Sequence, residues 1–246
     1  MELKKQGNST EEQHQGITHP KITYLNIPII YATVKDMEKY MNNANNHIYY
    51  MFHKPAGCIT ARTDACHKTV LDYFPKEKQE ILHPIGRLDI DTEGLLLLTD
   101  DGNFTNQLMS PENHVEKTYE FIALGDLRED AVTELQKGIY FTGDDKITKP
   151  CKITVTARST LQEALPLLPV TPTEKTRKNR PEHPVTYGTM TITEGRKHHV
   201  KRLLKHAHCH VIYLKRVSIG GLVLDETLKP GEYRELTEAE IVSFFL

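Results

Sequence analysis

The chain has 246 residues, a formal net charge of −2 and 38% hydrophobic residues. This length fits one large domain or one domain with appendages, and the hydrophobic content is enough for a core. Apolar runs stay far below the roughly 18–20 residues of a membrane helix, and the first residues lack the apolar segment of a secretory signal. A membrane or secreted protein is therefore not expected, and the predicted location is the cytoplasm.

Residues 1–46 are rich in Asn, Gln, Thr and Glu and show no pattern of a compact domain. Such a polar composition cannot bury enough apolar surface to offset the entropy of ordering the chain. We therefore predict a partly disordered N-terminal extension without a recognisable domain. From residue 47 to residue 246 the pattern predicts a single domain.

Within this domain, short segments of strand character alternate with turns and a few helices. Strands are predicted at residues 48–52, 95–98, 115–124, 151–157, 187–193, 211–214 and 222–224. Helices or helical turns are predicted at residues 69–74, 103–109, 128–137, 197–208 and 237–245. Because regular βαβ alternation is absent, we predict an α+β fold with a mixed, mostly antiparallel β-sheet and flanking helices.

The basic residues are concentrated late in the chain. Residues 174–216 hold 11 Lys or Arg against 3 Asp or Glu, a local net charge of +8. This asymmetry suggests a polyanion partner on one face, although a solvated loop followed by an ordinary amphipathic helix would give the same count. Residues 158–184 are rich in Pro, Lys and Arg and predict a long, mobile, basic insertion.

The four cysteines are scattered without a C-x-x-C pair, which predicts free thiols in a cytosolic protein. Several His residues and one Cys between His198 and His210 suggest a zinc site, because zinc prefers these ligands. They straddle the end of a predicted helix and the start of a strand, so their side chains point in different directions. We therefore expect no metal site.

A polar loop followed directly by an apolar strand is the most unusual segment. Turn-forming and charged residues run from Gly86 to Gly94, the run Leu95 to Leu98 follows, and residues 100–102 signal a turn. A buried strand thus holds a charged loop in place, which is how a rigid scaffold presents chemistry.

Asp89 is the candidate catalytic residue of this loop. It lies between Leu88 and Ile90, so its carboxylate is expected to be partly buried and to need a cation or hydrogen bonds. The candidate cations lie on the helix at 197–205. A single carboxylate without a second acid beside it fits a covalent or proton-transfer role better than the paired acids of glycosidases. An Asp that only caps its own loop fits the local sequence equally well.

Five segments, Lys54–Gly57, Gly86–Gly102, Glu116–Tyr119, Glu194–Arg202 and Ile219–Arg234, occur in a fixed order. In that order they resemble the motifs of bacterial rRNA pseudouridine synthases of the RsuA type, the small-subunit branch. The resemblance covers roughly residues 48–244. It implies the catalytic fold of that family.

The resemblance also implies that a uridine is isomerised to pseudouridine without a metal or other cofactor. The C–N glycosidic bond breaks, the base turns within the pocket, and it rejoins the ribose through carbon. Asp89 corresponds to the essential aspartate, Tyr119 to the tyrosine that packs against uracil, and Lys201 to the basic residue that pairs with the aspartate. By local pattern alone, Tyr119 would be a core aromatic residue and Lys201 one lysine of a solvated helix face.

By the same resemblance, five further residues are expected to bind the substrate. These are Lys54, Arg87, Arg196, His198 and Arg202. Arg87 corresponds to a position that helps hold the uridine out of its stack. His199 stands where the family usually has Gln, and residues 1–46 do not match the small RNA-binding domain with which many members begin.

The expected partner is rRNA or a nascent ribosomal subunit, bound by a monomer. The basic half of residues 158–184 is either an RNA-contacting arm or a tolerated surface insertion. Two other functions stay open, a large-subunit rRNA pseudouridine synthase and a non-catalytic rRNA-binding assembly factor. The intact set of Asp89, Tyr119 and Lys201 argues against the second.

Overall fold

The computed structural model describes residues 47–245, so the predicted extension at residues 1–46 lies outside the described part. Nine strands are present: β1 (Tyr49–Lys54), β2 (His83–Ile85), β3 (Glu93–Thr99), β4 (Lys117–Leu124), β5 (Lys152–Thr160), β6 (Pro184–Ile192), β7 (His210–Ile219), β8 (Leu222–Val223) and β9 (Tyr233–Glu235). The helices are α1 (Lys76–Ile81), α2 (Gly102–Met109), α3 (Glu129–Lys137), α4 (Leu161–Ala164), α5 (Glu174–Arg177), α6 (His199–His206) and α7 (Glu238–Val242). Two 3₁₀ turns are formed by Leu71–Tyr73 and Leu165–Leu167.

All nine strands belong to one sheet, in the order β5-β6-β4-β7-β3-β1-β9, with β2 added to β3 and β8 added to β7. Only β3 and β7 run parallel among these strands, and every other pair is antiparallel. The predicted mixed, mostly antiparallel α+β architecture is confirmed.

The leucine run forms β3 because both faces of this strand are covered. Leu96 and Leu98 belong to one apolar cluster, and Leu95 and Leu97 belong to a second cluster on the opposite face. Successive side chains of a strand alternate between faces, so a continuous apolar run indicates burial on both. The strand that follows the Asp89 loop is therefore held from both sides of the sheet.

Helix α6 carries its apolar stripe as predicted. Val200, Leu203 and Leu204 are buried, which docks the helix on the sheet. Lys201, on the flank of this stripe, faces the β2–β3 loop. The helix begins at His199, later than predicted, because His198 adopts a left-handed backbone conformation with φ of 53°. A left-handed residue cannot continue a right-handed helix.

The predicted insertion at residues 158–184 contains secondary structure. Its first residues extend β5, and Thr160 then caps α4 through a reciprocal capping box with Glu163. Leu161 and Ala164 of α4 are buried against Val185. The mobility of the remaining segment stays a prediction.

The C-terminal segment is held by an ionic network centred on Arg234. Its guanidinium donates to Asp225 at 2.7 Å and to both carboxylate oxygens of Glu240 at 2.7 and 2.9 Å. The hydrogen bonds from Arg234 lower the pKa of Glu240 from 4.5 to about 2. A carboxyl group with a depressed folded-state pKa stabilises the protein above its unfolded pKa, and this contribution disappears as the pH falls through the folded pKa.

We therefore expect Arg234→Met to be less stable than the wild type at pH 6, to lose this difference as the pH falls from about 4.5, and to approach wild-type stability at about pH 2, where Glu240 becomes protonated. Urea unfolding at both pH values measures this difference. Arg128→Met is the matched control, because its partner Asp130 forms a solvent-exposed pair. A destabilisation by Arg234→Met that is the same at both pH values would contradict the ionic explanation.

Candidate active site

Lys54, the last residue of β1, holds the β2–β3 loop in place. Lys54 is completely buried, and its ammonium donates to the backbone carbonyls of Pro55 at 3.0 Å, Asp89 at 3.0 Å and Thr92 at 2.9 Å. Burial lowers the pKa of Lys54. Lys54 was predicted to bind the substrate, but the structure directs its ammonium toward the protein backbone.

Gly94 fixes the other end of this loop against β7. Its φ is 107°, and a Cβ atom at this position would lie 2.2 Å from the carbonyl oxygen of Arg216. Both the backbone angle and the close approach require glycine. The start of β3 can therefore pair in parallel with β7, and the loop is placed beside Arg216.

Asp89 projects from the loop toward α6. Its Oδ2 atom accepts a hydrogen bond from Lys201 Nζ at 2.8 Å, and the same ammonium lies 2.5 Å from Asp91 Oδ1. His198 Nε2 is 3.7 Å from the second carboxylate oxygen of Asp89. Within residues 47–245 the Asp89 carboxylate thus takes its hydrogen bond from a distant cation and not from its own loop, unlike a capping residue.

The Asp89–Lys201 pair borders a cleft of about 510 Å³, a volume typical of small-molecule sites. Tyr119 of β4 lines the same cleft and is 8% exposed. Apolar side chains of Ile192 and Leu214 complete the wall near it. The three residues predicted to be catalytic, although separated by up to 112 positions in sequence, are therefore brought to one cavity.

Two cations of the cleft were missed by sequence reasoning. Arg216 is 2% exposed, donates from Nε to the Leu95 carbonyl at 2.7 Å, and donates from Nη1 to the Tyr119 hydroxyl at 3.4 Å. Lys117 donates to the Val115 carbonyl at 2.9 Å, and burial together with the nearby Arg216 lowers its pKa to about 8. Strand alternation does place Lys117 on the face of Tyr119, whereas Arg216 lies beyond the strand predicted at 211–214.

Two residues predicted to bind substrate, Arg196 and Arg202, are engaged with other parts of the protein. Both donate to Asp144, at 3.2 and 3.1 Å. Arg196 also binds Glu194 and two backbone carbonyls, while the Arg202 guanidinium lies 3.9 Å from the ring centroid of Phe141. These contacts join α6 and the loop before it to residues 141–147, which follow α3.

Arg87 and His198 are the predicted substrate-binding residues that face solvent. Both side chains line the cleft and are exposed. Within the described residues, Arg87 has no hydrogen bond or ion pair. Two exposed apolar side chains, Ile90 at 42% and Met109 at 45%, line the cleft beside it. The mouth of the cleft therefore combines an available cation with apolar surface.

His199, at the position where the resemblance predicts Gln, is buried at the start of α6. Its Nε2 lies 3.5 Å from Glu194, and its ring packs edge-on against Phe141 at a centroid distance of 5.4 Å. Burial lowers the pKa of His199 to about 4. The buried imidazole is therefore neutral at pH 7.

The fold neutralises part of the positive charge counted at residues 174–216. Lys178 pairs with Glu174, and Arg196, Lys201 and Arg202 pair with acidic residues. Among the basic residues of this stretch, the exposed ones without an ion pair to any described residue are Lys175, Arg177, Arg180, Lys197 and Lys205. The available cationic surface is thus smaller than the sequence count suggests.

The structure also bears on the other sequence expectations. All four cysteines are free thiols, as predicted. The described residues contain no group of three or more His, Cys, Asp or Glu that could hold a metal ion. His206, one member of the suggested zinc group, instead lies 3.0 Å from Glu134. No helix between residues 47 and 245 is long and apolar enough to cross a membrane.

Comparison with protein families gives a match over most of the part of the chain that forms this cleft. A family model described as RNA pseudouridylate synthase matches residues 48–206. A solved structure described as a crystal structure of pseudouridylate synthase superimposes with a TM-score of 0.67 and 34% sequence identity, covering 80% of this chain and 74% of that one.

Individual relatives agree with this match. The chain is 40% identical over 195 residues to the uncharacterized RNA pseudouridine synthase YtzG of Bacillus subtilis, covering 79% of this chain and 72% of the relative. It is 37% identical over 195 residues to ribosomal small subunit pseudouridine synthase A of Escherichia coli K12, covering 79% and 73%.

Proposed function

The chain belongs to the RNA pseudouridylate synthase family, and from this premise we propose that it isomerises one uridine of small-subunit rRNA to pseudouridine. The observation that carries the proposal is the position of Asp89, whose carboxylate is held 2.8 Å from Lys201 Nζ at the edge of a cleft lined by Tyr119. One charged acid beside a cavity suited to a small planar group fits a reaction at a single ribose.

Asp89 acts on the ribose of the target uridine in this proposal. It either attacks the sugar or removes a ribose proton, and in both cases the bond between uracil and ribose breaks. Lys201 orients the carboxylate through its hydrogen bond of 2.8 Å to Oδ2. Tyr119 packs its ring against the uracil while the base turns, after which the base rejoins the ribose through carbon.

Binding of the target uridine falls to the residues at the mouth of the cleft. Arg87 is free to contact a phosphate or fill the space left by the extruded uridine, and His198 lies beside Asp89. Extrusion costs a few kcal/mol of unstacking, so groups that compensate for it are chemically sensible. Lys54, Arg196 and Arg202 contribute indirectly, by holding the loops that carry these groups.

Small-subunit rRNA is the proposed substrate because the Escherichia coli relative is named ribosomal small subunit pseudouridine synthase A. The exposed basic side chains between residues 175 and 205 would contact its phosphates, an interaction that weakens as salt concentration rises. The proposed setting is the cytoplasm, where the protein meets rRNA or a nascent subunit as a monomer.

Pseudouridine mapping across all rRNAs, in cells with and without the protein, tests this function. We expect one pseudouridine in small-subunit rRNA to disappear and to return when purified protein acts on that rRNA or on nascent subunits. A missing pseudouridine in large-subunit rRNA would reassign the substrate. Unchanged pseudouridine in both subunits would instead favour a non-catalytic role in ribosome assembly.

A further inference from the structure

Two cations deep in the cleft have no acidic partner within the described residues. Lys117 and Arg216, which we call the inner cations, both line the cavity. Their hydrogen-bond partners within residues 47–245 are the Val115 and Leu95 carbonyls and the Tyr119 hydroxyl. The inner cations therefore bring positive charge into the cleft that the protein does not neutralise there.

Both inner cations have N–H donors that bind no group within residues 47–245. A lysine ammonium has three N–H donors, and Lys117 uses one of them on the Val115 carbonyl. Arg216 has five, and its buried Nη2 atom has no hydrogen-bond partner in residues 47–245. Leaving buried donors unpaired costs stability, so such an arrangement often has a functional reason.

The proposed reaction creates negative charge in this cavity. When the bond between uracil N1 and ribose C1′ breaks, its electron pair stays on the base, where it is shared between N1 and the two carbonyl oxygens. The cleft wall contains Ile192, Leu214 and Ile219, and a weakly polar surrounding strengthens the attraction between a cation and this anion.

We propose that the inner cations stabilise the uracil anion released by glycosidic bond cleavage, an inference that rests on the function proposed above. Lys117 contacts the anion directly and is a catalytic residue. The anion then forms the C5–C1′ bond with an electron pair of its own, while the Asp89–C1′ bond breaks or, if Asp89 removed a ribose proton, that proton returns to the ribose. C5 then loses its proton, and N1 gains one. Atoms and electrons balance without a further reactant.

Arg216 is a positioning residue in this scheme and acts through Tyr119. A guanidinium has donors only, so the Tyr119 hydroxyl accepts the hydrogen bond from Arg216 Nη1. The hydroxyl proton is thereby turned away from Arg216 and is available to a uracil oxygen. Tyr119 thus provides a hydrogen-bond donor to the anion in addition to the surface of its ring.

Lys117→Met tests the direct contact with two substrates, the target RNA with uridine and the same RNA with 5-fluorouridine at the target position. Fluorine makes uracil a better leaving anion, so its departure depends less on a cation. We expect the variant to slow single-turnover loss of uridine by about 10²–10³-fold, and to slow loss of 5-fluorouridine by a factor at least about tenfold smaller. Equal losses for both substrates would overturn the proposal.

Tyr119→Phe and Arg216→Lys, made singly and together, test the positioning role. Tyr119→Phe removes only the hydroxyl and keeps the ring, so this variant remains informative even if Arg216→Lys folds poorly. We expect Tyr119→Phe, like Lys117→Met, to slow the loss of 5-fluorouridine less than the loss of uridine. We expect the double variant to lose no more activity than Tyr119→Phe alone. If the activity losses of the two single variants multiply in the double variant, Arg216 does not act through Tyr119.

Two controls separate this inference from the function on which it rests. Lys137→Met removes an exposed lysine from the end of α3 and is expected to leave both rates unchanged. Asp89→Asn is expected to abolish the loss of both nucleosides. Full activity of Asp89→Asn would contradict the proposed function itself. If Asp89→Asn is inactive but Lys117→Met slows the loss of uridine and of 5-fluorouridine equally, only the role of the inner cations is wrong.

Discussion

Asp89→Asn is expected to abolish pseudouridine formation in a protein that remains folded. Asparagine is nearly the same size and can still accept a hydrogen bond from Lys201, but it can neither attack the sugar nor take a proton from it. We expect a loss of at least about 10²–10⁴-fold, the typical contribution of a positioned acid–base group. The measurement is pseudouridine formed in a single turnover, with thermal unfolding of the same sample.

The stability of Asp89→Asn should change little. The Asp89 and Lys201 side chains are 28% and 23% exposed, and ion pairs open to solvent contribute about 1 kcal/mol or less. A large drop in melting temperature would therefore mean that Asp89 is needed for folding, and the activity loss would then say nothing about catalysis.

Asp91→Asn is the matched control, because Asp91 contacts the same ammonium at 2.5 Å but its side chain is 67% exposed. We expect this variant to stay within about tenfold of wild-type activity, since removing a solvated ion-pair partner is worth about 1 kcal/mol. If Asp91→Asn loses as much activity as Asp89→Asn, the essential feature is neutralisation of Lys201 and not the chemistry of Asp89.

Lys54→Met is expected to damage both stability and turnover. Methionine fills a similar volume, but it leaves the carbonyls of Pro55, Asp89 and Thr92 without the ammonium they now bind. Each buried acceptor left unpaired costs about 1–3 kcal/mol. Because the loop that carries Asp89 is then released, a displacement of about 1 Å would lower the turnover number by about 10²-fold.

The effects of Lys54→Met on kcat, KM and melting temperature distinguish this role from direct substrate binding by Lys54. A loop-positioning lysine predicts a fall in kcat together with a lower melting temperature. A substrate-binding lysine predicts a higher KM with stability preserved. Lys68→Met serves as the control, since Lys68 is exposed and its ammonium lies 3.7 Å from the Tyr73 ring centroid, a contact worth about 0.5–1 kcal/mol.

The sequence alone was enough for the fold class and for the order of most elements. Alternation and turn residues located the strands, and the apolar stripe of α6 predicted which of its residues, Val200, Leu203 and Leu204, are buried. These patterns succeed because they reflect local backbone periods. The start of α6 was misplaced, because the left-handed conformation of His198 has no sequence signal as strong as glycine.

Three residues predicted at the centre of the site lie at one cleft in the structure: Asp89, Tyr119 and Lys201. Their grouping was predicted from the family resemblance and not from local sequence pattern. Local sequence left Asp89 open between a loop cap and a catalyst. The hydrogen bond from Lys201, 112 positions away, is a tertiary contact that no local period encodes.

What the chain determined by itself is a charged loop followed by a strand buried on both faces, because the run Leu95 to Leu98 requires apolar surroundings on each side. What only the tertiary structure decided is the direction in which each cation points. Lys54 turns inward to backbone carbonyls, Lys201 turns to Asp89, and Arg216 lies against Tyr119. A basic side chain binds backbone carbonyls, a carboxylate or a tyrosine hydroxyl according to which strands and helices pack beside it. That packing depends on contacts between distant parts of the chain.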